Sequence, residues 1–487
     1  EKGRGEMTKK TTVLAFDLGA SSGRAIRAEY DGESFRWEEL HRFENNPVEK
    51  DGHLRWDFES LLREIRAGIQ KAGAFDSVAF DTWGVDFGLL GEDGKLLSDP
   101  VHYRDGRTDH ILDSALRTMD GEALYGETGT QLLPINTLFQ LLALREQEPD
   151  TLARAKTLLL MPDLFRYCLC GGVSTERSAA STAQLLRLPQ GEWSEKILTA
   201  FGLPESLLPP LVPGGSAVGR LPENGALVLA TAGHDTQCAV AALPDPGPDA
   251  AFLSCGTWSL LGCELDAPIL TPESMRLGLS NEWGANGKIN YLKNIIGLWL
   301  IQESRRAWKR AGESYSYADL ERLALAAEPL RCFIDPDDPV FTPPGDLPGR
   351  VQEYCRKTGQ FVPQTVGEIM RCIYESLALK YRWAISQLQQ ATGRRFGTLH
   401  VLGGGAKDGL LCRMTADAAG LRVVAGPVEA TALGNLMLQL TALGAMPSLE
   451  EGRRWIARGE KLTEYLPQTS EAWETAYQKY QALLESV

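Results

Sequence analysis

What is missing from this chain narrows its class before any motif is read. Its nine cysteines form no C-x-x-C pair, and no group of His or Cys has the spacing of a zinc module. Cys355 and Cys372 meet only if the fold brings them close, and reduced structural thiols in a reducing cytosol are the expectation. No apolar run approaches the ~18 residues of a membrane helix, and no signal peptide opens the chain. A cytoplasmic chain with no membrane partner is therefore expected, with Glu1–Glu6, ahead of Met7, read as an added leader. Basic residues are the minority, 50 against 64 acidic, and the net charge of −14 weighs against a nucleic-acid partner. There is no G-x-x-x-x-G-K-[ST]. The one near match to G-x-G-x-x-G, at Gly403, puts Asp408 where the third glycine belongs, so neither P-loop nor Rossmann binding is supported.

What is present starts with length. A chain of 487 residues with 43% hydrophobic content can bury several large cores, about three domains on length alone. The most informative stretch is Asp17-Leu18-Gly19-Ala20-Ser21-Ser22-Gly23-Arg24. An apolar β-type segment, Thr11 to Phe16, precedes it; a second mixed strand follows and ends at the turn signal Asp31-Gly32. The glycine-serine run thus reads as a tight bend between two strands. Gly19 and Gly23 let backbone N–H groups approach a ligand, Ser21 and Ser22 add hydroxyls, and Asp17 sits where a carboxylate can hold magnesium beside phosphates. Gly19-Ala20-Ser21-Ser22-Gly23 also satisfies G-x-S-x-G, but a nucleophile elbow needs a helix after the serine, and here a hairpin follows. An ordinary glycine-rich turn is the plain alternative.

Further along, Leu61, Leu62, Ile65 and Ile69 recur at helical spacing up to Gly73. A short buried-type strand, Ser77 to Phe80, runs into Asp81-Thr82-Trp83-Gly84-Val85-Asp86, the usual way an α/β sheet presents a ligand edge. Trp83 reads equally as core or contact, and His102–Thr108 as a ligand-facing loop or a solvated turn. Helices are expected over Asn136–Arg145 and Pro162–Cys170, then an irregular proline-punctuated segment to Pro222. Ala226–Ala230 is another strand, leading into Gly233-His234-Asp235-Thr236 and a helix from Gln237. Asp235 there is either a plain N-cap or a reactive carboxylate. The clearest linker, Leu243 to Pro248, places a domain division at Pro246. Beyond it, Leu253-Ser254-Cys255-Gly256-Thr257-Trp258-Ser259 echoes Phe16 to Ser22, suggesting duplicated domains with the acidic strand end only in the first. Lys293 to Gln302 starts polar and becomes an apolar helix. A long helix follows over Thr365–Gln390, then a strand Thr398–Leu402 into the triple glycine Gly403–Gly405, and an α/β unit ending with a helix Ala430–Leu443.

These ordered motifs, together with Ala425–Gly434, resemble the FGGY family of sugar kinases, over about Val13 to Leu443. The resemblance implies an α/β fold of two duplicated actin-like (ribonuclease H-like) domains with a central ATP and substrate cleft. The domains would cover 8–246 and 247–445, with a helical extension over 446–487. It also implies transfer of the ATP γ-phosphoryl group to a primary hydroxyl of a ketose, with Mg2+. Ala20, Ser21, Ser22, Gly23, Arg24, Thr257, Gln302 and Gly404 would contact ATP. Gly84, His234, Asp235, Thr236 and Asn294 would contact the sugar, with Asp235 as proton acceptor and Asp17 positioning the metal. A monomer or weak homodimer is the expected assembly. A non-catalytic ATP-dependent switch on the same fold is the rival, and it would have no use for the base in His234-Asp235-Thr236.

Overall fold

The computed structural model describes residues 10–244, 246–468 and 470–486; the expected leader Glu1–Glu6 and Asp245 of the linker lie outside them. The chain forms two compact units. The first comprises Glu1–Asp245, Glu264–Tyr291 and Ala430–Gly459; the second comprises Pro246–Cys263, Leu292–Glu429 and Glu460–Val487. They are not consecutive halves, because the segments Glu264–Tyr291 and Ala430–Gly459 fold with the first unit, and the last 42 residues are divided at Gly459.

In the first unit, β1 (Thr11–Leu18), β2 (Ser22–Tyr30) and β3 (Phe35–Glu44) form an antiparallel meander. β4 (Ser77–Thr82) pairs parallel with β1, β6 (Leu227–Ala230) parallel with β4, and β5 (Ser216–Arg220) closes the edge antiparallel to β6. The sheet order is β5-β6-β4-β1-β2-β3. β1 and β4 are buried almost throughout, as expected of parallel strands covered on both faces. The helix α1 (Phe58–Ala72) follows the sequence pattern: Asp57 caps it by accepting from Ser60 N, Leu61, Ile65 and Ile69 are buried, and Gly73 ends it. Phe16 and Phe80 stack at 5.2 Å on one face of the sheet, with Phe165 at 6.4 Å from Phe80 extending the aromatic core.

The second unit repeats the pattern. β7 (Ala250–Cys255) pairs antiparallel with β8 (Trp258–Leu265) and parallel with β10 (Thr398–Leu402), which pairs parallel with β11 (Arg422–Ala425); β12 (Thr463–Tyr465) closes antiparallel. With β9 (Ile289–Ile296) beside β8, its strands run β9-β8-β7-β10-β11-β12. The long helix α3 (Val366–Thr392) begins with a capping box between Thr365 and Glu368 and ends at Gly393 in the left-handed region, φ 68°.

Two local readings change. Ile295 and Ile296 belong to β9, not to a helix, so Lys293 and Asn294 are strand residues and the helix starts at Trp299. The proline-rich segment before Pro222 contains β5, whose ladder partner β6 supplies the order that local sequence does not. Among the described residues, no helix is long and apolar enough to cross a membrane.

Candidate active site

Three aspartates gather at one edge of the first unit's sheet because three strands end there. β1 and β4 run in register with Asp17 opposite Asp81. Thr82 N donates to Gly233 O at 2.9 Å and bridges to His234, so the residue after the β6 loop, Asp235, arrives at the same edge. Asp235 is the first residue of α2 (Asp235–Ala241), and His234 takes the N-cap position. The capping alternative for Asp235 is therefore displaced by one residue: its Oδ1 accepts from the adjacent Thr236 N, at 2.7 Å, and from that residue's hydroxyl at 3.5 Å, and lies 3.4 Å from His234 Nε2.

The electrostatics of this edge follow from gathering like charges. Asp17 is answered by Arg24 from the opposite strand, Nε at 2.9 Å and Nη2 at 2.8 Å. Asp81 is fully buried; burial, and then the charges of Asp17 and Asp235, hold its carboxyl well above the usual range despite a hydrogen bond from Asn435 Nδ2 at 2.6 Å. Its other oxygen, Oδ1, has no hydrogen-bond partner among the described residues. Burial also raises Asp235, to about 6, with His234 pulling it down and Asp17 pushing it up. Its side chain keeps 28% of its surface open. For His234, burial disfavours the imidazolium. The Glu282 carboxylate, 2.8 Å from Nδ1, together with Asp235, 3.4 Å from Nε2, wins, and the ring is lifted to about 9. At neutral pH the pair is an imidazolium beside a carboxylate, with Gln237 Nε2 also donating to Glu282.

The Asp81–Asp86 loop is held rigidly. Val85 carries φ +64°, strained for a β-branched residue, and is locked by Val85 N donating to Thr182 Oγ1 at 3.1 Å and Thr137 Oγ1 donating to Val85 O at 2.6 Å. Gly84 packs so close to Thr182 that a Cβ would sit 3.0 Å from it. Trp83 proves to be core: it is 6% exposed, lies 4.0 Å from the Trp56 ring, and its Nε1 donates to Asp86. The His102–Thr108 segment is no solvated turn, since His102, Tyr103, Arg107 and Thr108 are buried, His102 against Trp56.

The β1–β2 bend places Ala20, Ser21, Ser22 and Arg24 partly exposed beside Asp17. Gly19 N donates to Ser22 O at 2.9 Å, and Asn45 Nδ2 donates to Gly19 O at 2.9 Å, so the bend is fixed from β3's end. Gly23 is buried and required by packing, because a Cβ there would overlap the Phe43 ring. In the second unit, Thr257 Oγ1 donates to Gln302 Oε1 at 3.2 Å, joining the β7–β8 bend to the start of the following helix. The glycine loop lies beside that bend: Gly404 is exposed, while a Cβ on Gly405 would overlap Cys255 Sγ. Asn294 is half-buried on β9, next to Lys293, which burial and Lys380 push down to about 8.

Asp17 and Asp235 stand out in the sequence motifs, whereas Asp81, Glu282 and Asn435 acquire their places at this edge only through the fold. Only Asp81 carried a signal, as the acidic end of a strand ahead of a glycine.

The duplicated sheets and the acidic edge define the class: residues 12–242 and 251–443 match the N-terminal and C-terminal domains of the FGGY family of carbohydrate kinases, and the chain belongs to that family. Within it, the chain is 42% identical to a rhamnulokinase of Bacteroides thetaiotaomicron over 480 residues, covering 96% of this chain and 98% of the relative. It is 40% identical to a rhamnulokinase of Enterococcus faecalis, covering 99% of each. The fold matches a gluconate kinase from Lactobacillus acidophilus with TM-score 0.79 at 16% identity, over 98% of both chains.

Proposed function

We propose that this chain transfers the γ-phosphoryl group of ATP to the 1-hydroxyl of L-rhamnulose, giving L-rhamnulose 1-phosphate and ADP, as a cytoplasmic enzyme of L-rhamnose breakdown. The observation that carries the choice of sugar is the likeness, over nearly the whole chain, to rhamnulokinases.

The site residues take roles their chemistry suits. Asp235, ionised and partly open, accepts the proton of the sugar hydroxyl as the phosphoryl group arrives. His234, held charged by Glu282, keeps Asp235 ionised near neutral pH and donates toward sugar oxygens. Gly84, on its rigid loop, Thr236 and Asn294 are assigned to the sugar. Ala20 to Arg24, Thr257, Gln302 and Gly404 are assigned to ATP.

A divalent cation suits the acidic edge: among the described residues Asp81 Oδ1 is buried without a hydrogen-bond partner, and Arg24 and His234 are the cations paired with Asp17 and Asp235. Asp17 would hold Mg2+, through water, where the ion neutralises charge on the phosphates.

The test is coupled ADP release with and without L-rhamnulose, with product analysis for phosphorus coupled to the C1 protons. Release that ignores added sugar, or phosphate on another carbon, refutes the reading.

A further inference from the structure

The loop between β6 and α2 aims Asp235, and two of its backbone N–H groups are taken by one short segment, residues 176–182. Gly233 N donates to Glu176 Oε2 at 2.8 Å. His234 N donates to Ser178 Oγ at 3.2 Å, and that hydroxyl donates in turn to Glu176 Oε2 at 2.5 Å. Glu176 and Ser178 are buried. Gly233 is what lets the loop come this close, since a Cβ there would stand 3.0 Å from Pro162 and 3.3 Å from Glu176 Oε2.

The length of the Glu176 side chain separates this contact from capping. Glu176 is the N-cap of the short helix Arg177–Ala180, with its oxygens accepting from Ser178 N at 2.9 Å and Ala179 N at 3.2 Å. Serine, threonine, aspartate and asparagine suit that position, because a short side chain reaches the first N–H groups of the helix. The additional methylene of glutamate carries Oε2 across to Gly233 N as well. Burial raises the Glu176 carboxyl above its ordinary range, and the bonds from Ser178, Gly233 and Ala179 oppose that rise.

The same segment reaches two further parts of the acidic edge. Thr182 Oγ1, which accepts from Val85 N beside Gly84, donates to Ala179 O at 2.8 Å. Ser181 Oγ accepts from Trp283 N at 2.9 Å, next to Glu282, and donates to Ser178 O at 2.7 Å. Behind it, Glu176 N donates to Asp163 Oδ1 at 3.3 Å, and Asp163 is paired with Arg166 in full burial. The loop of Gly84, the strand of Glu282 and the loop of Asp235 thus share one anchor.

We propose that Glu176 is the positioning residue of the base. Through Gly233 N directly, and through His234 N by way of Ser178 Oγ, it fixes the backbone that directs the Asp235 carboxylate at the acceptor hydroxyl. The inference rests on Asp235 serving as that base. Glu176 exchanges no proton with the sugar and acts only through the loop. Its leverage comes from geometry, since a displacement of about 1 Å at a reacting group costs about a hundredfold in rate.

The experiment separates the cap from the clamp in the full chain, by coupled ADP release at saturating L-rhamnulose and ATP-Mg. Glu176→Asp keeps the charge and supplies a good capping residue, but it withdraws the acceptor from Gly233 N by about one C–C bond, ~1.5 Å. It should fold with a Tm near the parent's and keep ATP affinity within about twofold, while kcat falls about ten- to a hundredfold. Ser178→Ala, which cuts the His234 arm alone, should lose less, about three- to tenfold. Ser77→Ala removes a buried hydroxyl at the opposite end of β4 from Asp81 and should leave kcat unchanged. In the Asp235→Asn background, Glu176→Asp should cost less than about twofold more, because the group it positions is gone. The same cost with and without the Asp235 carboxylate marks a purely structural role and overturns the proposal. So does a folded Glu176→Asp with kcat within about twofold of the parent. Should Glu176→Asp not fold, Ser178→Ala carries the same cycle, and loss of the fold in both overturns the proposal. Near-parent turnover by Asp235→Asn itself removes the base and this inference with it. A low Asp235→Asn beside a normal Glu176→Asp removes this inference alone.

Discussion

Replacing Asp235 by Asn separates a chemical role from a structural one. Asn keeps the side chain's size and the oxygen that accepts from Thr236 N, and the N-cap of α2 is His234, so the helix start survives. What disappears is an ionisable oxygen with a pKa of about 6, well placed for a base at neutral pH. General-base loss costs about 10²–10⁴ in rate, which is about 3–5 kcal/mol of barrier. The same change removes one of the charges that hold Asp81 above its usual range, so folding should not suffer. The variant is expected to show kcat lowered by that factor, ATP affinity within about twofold of the parent, and a Tm equal or higher. The sign of the pH effect is fixed as well. Parent kcat/KM should fall as pH drops through about 6, because the base of the free enzyme becomes protonated, and this limb should vanish in Asp235→Asn. Coupled ADP release from pH 5 to 8, nucleotide titration and thermal melts measure all three. Near-parent turnover, or an unchanged acid limb, refutes the assignment of Asp235 as base.

Three further outcomes follow from the same geometry. His234→Gln removes the cation that lowers Asp235, so the acid limb of kcat/KM should move to higher pH, and Glu282, left with Gln237 as donor but without its charged partner, should cost up to about 3–5 kcal/mol in denaturant melts; a limb that stays in place contradicts the pairing. Asp17→Asn should raise the magnesium concentration needed for half-maximal rate, with extra magnesium restoring part of the loss, whereas Asp235→Asn should not respond to magnesium. Gly434→Ala should destabilise by about 1–3 kcal/mol or more, because a Cβ there would overlap the Cys238 carbonyl oxygen of α2; an unchanged melting curve would mean that the two helices separate at no cost.

Much of this was legible because the signals were local. The apolar spacing of Leu61, Ile65 and Ile69 and the glycine after Ala72 specify α1 without any knowledge of the sheet. The two strand–glycine–hydroxyl bends announced a duplication, and both units carry the corresponding hairpin. What stayed hidden depended on long-range register. Asp81 becomes part of an acidic edge only because β4 aligns Asp17 with it across 64 residues of chain. Trp83 was ambiguous because its partners, Trp56 and Asp86, are reached through folding and not through periodicity. The return of Ala430–Gly459 to the first unit rests on the close approach of Gly434 to α2, and a sequence break at Pro246 carries no trace of it. The cluster of Cys332, Cys355 and Cys372 was legible only in part: Cys355 and Cys372 were a pair conditional on the fold, and Cys332 joins them from a third segment.

A kinase tuned to one ketose is tested most directly by kcat/KM across L-rhamnulose, L-fuculose, ribulose, xylulose and glycerol at saturating ATP-Mg. L-Rhamnulose should give the highest value in the panel. A clear preference for xylulose, ribulose or glycerol would contradict it while leaving the fold and the acidic edge as described.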